Sequence, residues 1–369
     1  MAQSTASDSA GQLSRIVDTD VHHSFGERSD LTPYMPEAYE DRWEMYGIPS
    51  LGRGFANNGG DRAVREDVQD SDDPLPFAGA PPELVQTKLL DGCGIDIAIL
   101  TGLPTYRLSS TADVEYANAI ATAFNEYTVE EYLDVDDRFR YQIAINHRDP
   151  EASAEEIRRI GDHPQVTGVM MPIGASRTFG NKFYDPIYEA SEELNLTISL
   201  HLGNDSKGVH GHPPTAAGWP NHYAENRVMR QGTYQSHLAS FILQGTFEKY
   251  PDLRVSLLEC GWAWVPAYLW RMDANWKALR DEVPWVERPP SEYFKDHVKV
   301  NTQPVEEPPT ADDLRQIVDW MDGDRTLMFA TDFPHWDFDD PARTLLELDG
   351  ETRERVFAEN AKEQYDLDI

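Results

Sequence analysis

Four short apolar stretches of the chain each end at a residue type that binds metal ions. Asp20 and His22 close the first stretch, His201 the second, Glu259 the third and Asp332 the last. In parallel-barrel enzymes, side chains at the carboxyl ends of the strands converge on one mouth, even when hundreds of residues separate them in the sequence. The pattern therefore predicts a metal-dependent enzyme.

Asp20 and His22 stand two residues apart in a strand-like stretch, so both side chains point to the same side. Together with His201 and Asp332 they offer nitrogen and oxygen ligands without a thiolate. Such a set suits Zn²⁺ best, with Mn²⁺ or Fe²⁺ as alternatives, and leaves room for water or substrate. We predict one divalent metal ion bound by these four residues. The neighbouring His23 alternates to the opposite face and is expected to pack outside the barrel.

Two of the carboxylates are candidates for proton transfer. Asp332 could act as general base on a metal-bound water, whose pKa a zinc ion lowers to about 7. Glu259 would face the same cavity and pass the proton to a leaving group. Two plainer interpretations stay open. An isolated Asp-x-His pair can be a hydrogen-bonded strand end, and Glu259 can be a buried carboxylate paired with an arginine.

The order of the predicted elements indicates a parallel α/β barrel. Helical patterns separate most of the strand-like stretches, which is typical of α/β proteins. Eight strands favour a closed (β/α)8 TIM barrel over an open sheet, and no Gly-x-Gly-x-x-Gly motif follows a strand to suggest a dinucleotide site. The strands are predicted at Arg15–His22, Ile95–Thr101, Phe139–Asn146, Val166–Ile173, Leu196–Leu202, Arg254–Glu259, His297–Thr302 and Thr326–Asp332.

Two connections are too long for a simple crossover: Ser24–Pro81 after the first strand and Gly203–Gln231 after the fifth. Long segments of this kind commonly form lids or pocket walls. Helices are predicted at Pro82–Asp91, Ala112–Leu133, Pro150–Ile160, Pro186–Leu194, Tyr234–Tyr250, Val265–Arg280 and Thr310–Met321.

One domain accounts for the chain of 369 residues. Residues 1–14 are polar and rich in Ser and Ala and are predicted to form a flexible tail, whereas residues 15–369 form a single catalytic barrel. His210, His212 and His222 lie in the Gly- and Pro-rich fifth connection, a composition more typical of a loop than of a second metal site.

The chain is strongly acidic, with 65 Asp and Glu against 32 Lys and Arg and a net charge of -33. This charge argues against nucleic acid or an anionic membrane as a partner and leaves a small-molecule substrate. Because the charge repels itself, the fold should need salt for screening, which predicts a halophilic protein. Stability titrated against KCl should rise, and full stability in dilute buffer would contradict this prediction.

The two cysteines, Cys93 and Cys260, are too few for a disulfide framework. No stretch approaches the roughly 18 uninterrupted apolar residues that a membrane helix needs. These features predict a cytoplasmic protein.

Several motifs together resemble the amidohydrolase superfamily, in the branch of aminocarboxymuconate-semialdehyde decarboxylase and the resorcylate and vanillate-type decarboxylases. They are the stretch ending in Asp20-Val21-His22, Ser199-Leu200-His201, the segment Gly245–Arg254 and Thr331-Asp332-Phe333-Pro334-His335. The resemblance covers nearly the whole chain. It implies a distorted TIM barrel, one catalytic divalent metal ion, and either hydrolysis or non-oxidative decarboxylation of a small, often aromatic, carboxylate.

The chain departs from the family pattern in two places. Asp20 replaces the first histidine of the usual His-x-His motif, as carboxylates do in some decarboxylases. Glu259 stands at the sixth strand, where a catalytic histidine followed by glycines is usual. The second departure counts against a decarboxylase that relies on that imidazole.

Three further residues are candidates for substrate binding. The resemblance implies this role for Arg271, because an arginine on the helix after the sixth strand reaches a substrate carboxylate in the decarboxylases, sometimes across a dimer interface. A homodimer is therefore among the expected assemblies. His237 could contact substrate, although its helical neighbours are apolar and favour a core histidine. Trp262 could line an aromatic pocket or simply belong to the core.

The sequence thus favours an amidohydrolase-type hydrolase that acts on a small aromatic or cyclic carboxylate through a metal-activated water. A non-oxidative decarboxylase that uses the same metal ligands is the first alternative. A metal-binding ligand sensor without catalysis is the second, because Glu259 replaces the usual histidine.

Overall fold

The computed structural model of the protein describes residues 13–48, 64–65, 67–68, 79–203, 218 and 220–369. Most of the predicted N-terminal tail lies outside these residues, and so do parts of both long connections, including His210 and His212.

Eight parallel strands follow one another in the order of the sequence, each hydrogen-bonded to the next. Contacts between the first strand and the segment that follows the last strand close the barrel: the Thr19 N–H donates to the Phe329 carbonyl (3.1 Å) and the His22 N–H to the Phe333 carbonyl (2.8 Å). The predicted TIM barrel is therefore confirmed. The strands are β1 (Val17–His23), β2 (Ile97–Gly102), β3 (Phe139–Ala144), β4 (Val166–Pro172), β5 (Thr197–His201), β6 (Val255–Leu257), β7 (Val298–Asn301) and β8 (Leu327–Met328).

The strands are almost continuously buried, as expected when helices cover the outside of a parallel barrel and side chains fill its inside. Every residue of β1, β2, β4, β5 and β6 is buried. β6 and β8 end earlier than predicted. Glu259 and Asp332, which follow them, have positive φ angles of 50° and 62°, a conformation that cannot continue a strand.

The helices lie between the strands, and the longest match the predicted patterns. They are α1 (Arg28–Leu31), α2 (Glu40–Tyr46), α3 (Pro82–Leu84), α4 (Asp91–Cys93), α5 (Val114–Thr128), α6 (Pro150–Ile160), α7 (Asp185–Glu193), α8 (Tyr223–Met229), α9 (Gln231–Leu243), α10 (Thr246–Lys249), α11 (Val265–Ala278), α12 (Pro290–His297), α13 (Ala311–Trp320), α14 (Gly323–Thr326), α15 (Gly350–Glu354) and α16 (Asn360–Tyr365). Short π-helical segments continue some of them, at Val85–Leu90, Val129–Leu133 and Arg355–Glu359.

The helix predicted at Tyr234–Tyr250 is interrupted. Gly245, with a φ of 77°, ends one helix and begins α10, and an added Cβ there would lie 2.6 Å from the Trp285 ring. Glycine is required at this position both by the positive φ and by the close approach of the indole.

Two segments outside the barrel strands contribute to its mouth. The 3₁₀ helix Leu103–Ser110 directly follows β2, and α8 belongs to the long connection after β5. Both therefore start from the carboxyl ends of barrel strands, where the active sites of such barrels lie. In the described part of the chain, no helix has the length and apolar character needed to cross a membrane.

Candidate metal centre

Asp20 and His22 lie side by side at the end of β1, both fully buried. The Thr101 hydroxyl at the end of β2 lies 3.0 Å from the Asp20 carboxylate, to which it donates, and 3.0 Å from Nδ1 of His22. These contacts orient Nε2 of His22 towards the interior of the mouth, where it lies 3.8 Å from the Asp20 carboxylate. Partners of this kind hold a histidine in the orientation needed for metal binding.

His201 reaches the same point from the end of β5. Its Nε2 lies 3.2 Å from Oδ2 of Asp20 and 3.8 Å from the Glu259 carboxylate, while its Nδ1 lies 2.9 Å from the Leu202 carbonyl. The Asn301 side chain at the end of β7 donates to the same Asp20 oxygen (3.3 Å). Ligand atoms of Asp20, His22 and His201 all lie within 4.8 Å of one another.

Asp332 completes the cluster from the segment after β8. Its Oδ1 lies 2.7 Å from Nε2 of His22 and 2.8 Å from Nδ1 of His335. Within the described residues, its buried Oδ2 has no hydrogen-bond partner. The positive φ of this residue is one of the strained conformations that occur preferentially at functional sites.

The donor set fits a divalent cation. Two carboxylates and two imidazoles converge, and a buried carboxylate oxygen without a partner costs free energy unless a cation or a proton occupies its vicinity. Burial, reinforced by His335, lowers the pKa of His22 well below its ordinary value, so its ring is neutral, as a metal ligand must be. Burial also acts against a charge on His201, but Asp20 and Glu259 outweigh it and raise its pKa to about 9. The cluster thus stabilises positive charge at this point.

Glu259 belongs to an ion-pair network beside the cluster. Its Oε1 accepts from Arg230 (3.0 Å) and lies 3.6 Å from Arg227, and both arginines come from the segment that contains α8. Arg227 also pairs with Asp337, five residues after Asp332. Burial opposes ionisation of Glu259, but Arg230, His201 and Arg227 outweigh it and lower its pKa to about 2. Glu259 is therefore a carboxylate held in its charged form.

The carboxyl groups next to the last strand behave differently. Burial raises the pKa of Asp332, although the neighbouring His335 acts in the opposite direction. Burial and the charge of Asp332 also raise the pKa of Asp337. The carboxyl groups of Asp20, Glu259, Asp332 and Asp337 are thus gathered at one buried site, where a divalent ion would offset their negative charge.

The three residues predicted to bind substrate lie apart from the metal cluster. Arg271 is exposed on α11. His237 uses both ring nitrogens in backbone contacts, 2.8 Å from the Ile173 carbonyl and 3.1 Å from the Phe179 N–H, and stacks on Phe179, so a substrate contact would require breaking a hydrogen bond. Trp262 is fully buried in the main hydrophobic core, and its indole nitrogen has no partner among the described residues.

Sequence reasoning missed several residues that build the site. Tyr106 lies between the two histidines, with its hydroxyl 3.4 Å from Nδ1 of His22 and its ring centroid 4.6 Å from that of His201. His335 belongs to the motif that contains Asp332, and its position three residues after Asp332 could have indicated a contact between the two side chains. Arg227 and Arg230 have helical spacing in the fifth connection, but no local signal shows which carboxylate they meet.

Comparison with known proteins identifies the family. A sequence model of the family described as Amidohydrolase matches residues 61–367. This chain belongs to the amidohydrolase family. The amidohydrolase is 28% identical over 276 residues to γ-resorcylate decarboxylase of Rhodococcus jostii. The aligned region covers 68% of this chain and 76% of that protein.

Crystal structures share the fold of this amidohydrolase. One is 5-carboxyvanillate decarboxylase from Novosphingobium aromaticivorans, complexed with manganese and 4-hydroxy-3-methoxy-5-nitrobenzoic acid (TM-score 0.68, 21% identity, 97% of each chain). Another is an amidohydrolase from Mycobacterium avium subsp. paratuberculosis (TM-score 0.72, 19% identity, 95% of this chain and 99% of that one). The resemblance drawn from the sequence motifs is confirmed.

Proposed function

We propose that this amidohydrolase is a metal-dependent, non-oxidative decarboxylase of a small aromatic carboxylate that carries a hydroxyl group next to the carboxylate. The observation that carries the proposal is the position of Arg227 and Arg230, whose positive charges lie beside the residues that can hold a metal ion and can meet a substrate carboxylate there. Asp332 is buried in surroundings that favour its protonated form, whereas ion pairs hold Glu259 charged. The relatedness to γ-resorcylate decarboxylase supports the same reaction.

Asp20, His22, His201 and Asp332 would hold the metal ion. Their imidazole and carboxylate ligands suit Mn²⁺ as well as the Zn²⁺ favoured by the sequence analysis, and the manganese in the 5-carboxyvanillate decarboxylase structure supports Mn²⁺. When bound, the ion supplies a Lewis acid for the carboxylate and hydroxyl oxygens of the substrate.

Asp332 would donate the proton that decarboxylation consumes. Its proton is transferred to the ring carbon that carries the carboxylate. The bond from that carbon to the carboxylate then breaks, carbon dioxide leaves, and the electrons of this bond restore the aromatic ring. His335 lies 2.8 Å from Asp332 and has a side chain that is 16% exposed, so it can return a proton from solvent to the acid.

Arg227 and Arg230 would contribute positive charge beside the reacting carboxylate. Glu259 holds both guanidinium groups, so its role is to position them. Arg227 is the more accessible of the two, with a side chain that is 20% exposed, and is therefore better placed to meet an anionic substrate.

Hydrolysis with Glu259 as proton shuttle, the function favoured by the sequence, receives less support. The shuttle must carry a proton to a leaving group, and a carboxylate with a pKa of about 2 is rarely protonated near neutral pH. The pairing of Glu259 with arginines agrees with the plainer interpretation of this residue.

Product analysis tests the proposal. The metal-loaded protein is incubated with γ-resorcylate, 5-carboxyvanillate and further hydroxybenzoates, and carbon dioxide is measured. In D₂O, the product should carry one deuterium at the vacated ring position, whereas hydrolysis of an ester or lactone panel should be absent. Hydrolysis without carbon dioxide release would contradict the proposal. Metal and ligand binding without turnover of any compound would instead support the sensor alternative.

A further inference from the structure

A pocket opens beyond the carboxyl ends of β3 and β4. Its volume is about 200 Å³, enough for a small molecule rather than a single water. None of the residues that line it belongs to the metal cluster or to the Glu259 network. The lining side chains that matter here are Ser109, His147, Arg148, Arg177, Phe183 and Tyr184.

His147 is the buried polar group of this pocket. Its side chain is fully enclosed, and its ring meets the edges of Phe179 and Tyr184. Neither ring nitrogen makes a hydrogen bond of adequate geometry within the described residues. Burial, with His237 nearby, lowers the pKa of His147 to about 3, and contacts with the backbone of Pro172 and of His147 itself offset this only in part. The ring is neutral and therefore offers one donor and one acceptor.

Two arginines supply positive charge at the same pocket. Among the described residues, neither Arg148 nor Arg177 has a carboxylate within 4.0 Å. Arg148 donates to the Thr111 carbonyl, and burial lowers its pKa without an opposing acid. The Arg177 guanidinium lies over the Phe183 ring at 4.4 Å. In so acidic a chain, two such arginines beside one cavity indicate an anion site.

We propose that this pocket binds a small oxyanion that also carries a hydroxyl group. The guanidinium groups of Arg148 and Arg177 bind the charged oxygens. One nitrogen of His147 donates to the anion, and the other accepts from its hydroxyl, which satisfies both buried atoms. Hydrogen phosphate, bicarbonate and a hydroxybenzoate share this chemistry. The proposal does not depend on the decarboxylation proposed above.

Calorimetric titration of the full-length, metal-loaded protein at constant KCl concentration tests the ligand class. Phosphate, bicarbonate and salicylate are compared with nitrate and benzoate, which carry charge but no hydroxyl group. At least one hydroxylated anion should bind saturably, about tenfold or more tighter than its counterpart without a hydroxyl. Comparing the affinities of phosphate and bicarbonate with that of salicylate also shows whether the preferred ligand is an inorganic anion or an aromatic carboxylate. If salicylate binds no more tightly than benzoate, and neither phosphate nor bicarbonate binds more tightly than nitrate, the proposed role of His147 is wrong.

Two substitutions locate the binding. Because Arg177 is exposed, we expect Arg177→Gln to fold normally and to weaken binding of the tightest anion about tenfold. His147→Phe should abolish the preference for hydroxylated anions. Arg343→Gln, at an arginine whose side chain is 86% exposed elsewhere on the surface, serves as control and should change neither. If no anion binds saturably to the wild type, the proposed site is wrong. It is also wrong if Arg177→Gln binds the anion as tightly as the wild type, because that result would place the anion at the metal centre instead.

Discussion

Asp332 and Asp337 at the mouth of the barrel differ from Asp136 at its opposite end in how completely their carboxyl oxygens are paired. At the mouth, the carboxyl groups of Asp332 and Asp337 lie close together, burial raises the pKa of each, and Oδ1 of Asp337 and Oδ2 of Asp332 lack partners within the described residues. At the other end, before β3, Arg138 pairs with Asp136 (2.7 Å) and Asp91 (2.8 Å), and Gln86 donates to Asp136.

This difference in pairing indicates that the acid at one end stabilises the fold and that the acids at the other end are available for binding or proton transfer. Hydrogen bonds from Arg138 lower the pKa of Asp136 to about 2, so this acid is held charged and stabilises the fold. Asp332 and Asp337 at the mouth each keep one buried oxygen without a partner among the described residues, which a metal ion, a proton or a ligand would satisfy. In TIM barrels the amino-terminal end serves stability and the carboxyl-terminal end serves catalysis, and here the distinction is electrostatic.

The largest effect is expected from Asp332→Asn, which removes the proton donor of the mouth. We expect kcat to fall about 10²- to 10⁴-fold, the usual contribution of a general acid, while the melting temperature stays at or above that of the wild type. Steady-state kinetics with a carboxylate that the wild type decarboxylates measures the change in kcat. Asp136→Asn at the opposite end is the matched control and should keep its activity. Unchanged turnover in Asp332→Asn would eliminate this residue as the acid.

Glu259→Gln should destabilise the protein by about 3–5 kcal/mol, because Arg230 and Arg227 would remain close to the mouth without their main counter-charge. Urea unfolding at pH 7 gives the value. Glu193→Gln removes the ion pair with Arg158 at the exposed surface, where solvent screens the charges, and should leave the free energy of unfolding nearly unchanged. Equal losses of unfolding free energy in the two variants would mean that the ion pairs of Glu259 contribute no more than a pair at the exposed surface.

Thr101→Val removes the hydroxyl that contacts both Asp20 and His22, while its shape is conserved. Metal affinity should fall about 10- to 100-fold, as for other residues that orient ligands. Competition with a chelator, followed by metal analysis, measures it. Thr128→Val, whose hydroxyl meets His23 on the outside of the barrel, should leave the affinity unchanged. A loss in both variants would indicate a general structural effect.

The smallest effect is the acid dependence of the Asp136 pair. Because its pKa in the folded protein is below the ordinary 3.8, the pair stabilises the fold fully above that pH, and the contribution disappears as the pH falls towards 2. Asp136→Asn should therefore lower stability by at most about 1 kcal/mol at pH 6, with a smaller difference at pH 3. Urea midpoints at the two pH values check this, and a difference that grows on acidification would reverse the assigned sign.

The strands and the metal-binding residues could be predicted because both depend on local pattern. Apolar stretches marked the strands, and the residue types at their ends marked Asp20, His22, His201 and Asp332. The same pattern predicted too long a strand for β8, which was expected to continue to Asp332 but ends at Met328. Beyond Met328, the Phe329 N–H is hydrogen-bonded to the Val356 carbonyl (2.8 Å) and the Thr331 N–H to the Asp18 side chain (3.0 Å) instead of to a neighbouring strand, and no local window contains these contacts.

The sequence by itself determined the eight-stranded barrel and the types of residue gathered at its mouth, because the order of strand and helix patterns and the residue type at each strand end are local properties of the chain. Only the tertiary structure decided which charges meet there. Arg230 and Glu259 are separated by 29 residues, and His22 and Asp332 by 310, yet each pair is in hydrogen-bond contact. Electrostatic effects depend on distance and burial in space, so the charge state of Glu259 and the partnerless oxygen of Asp332 follow from the folded barrel alone.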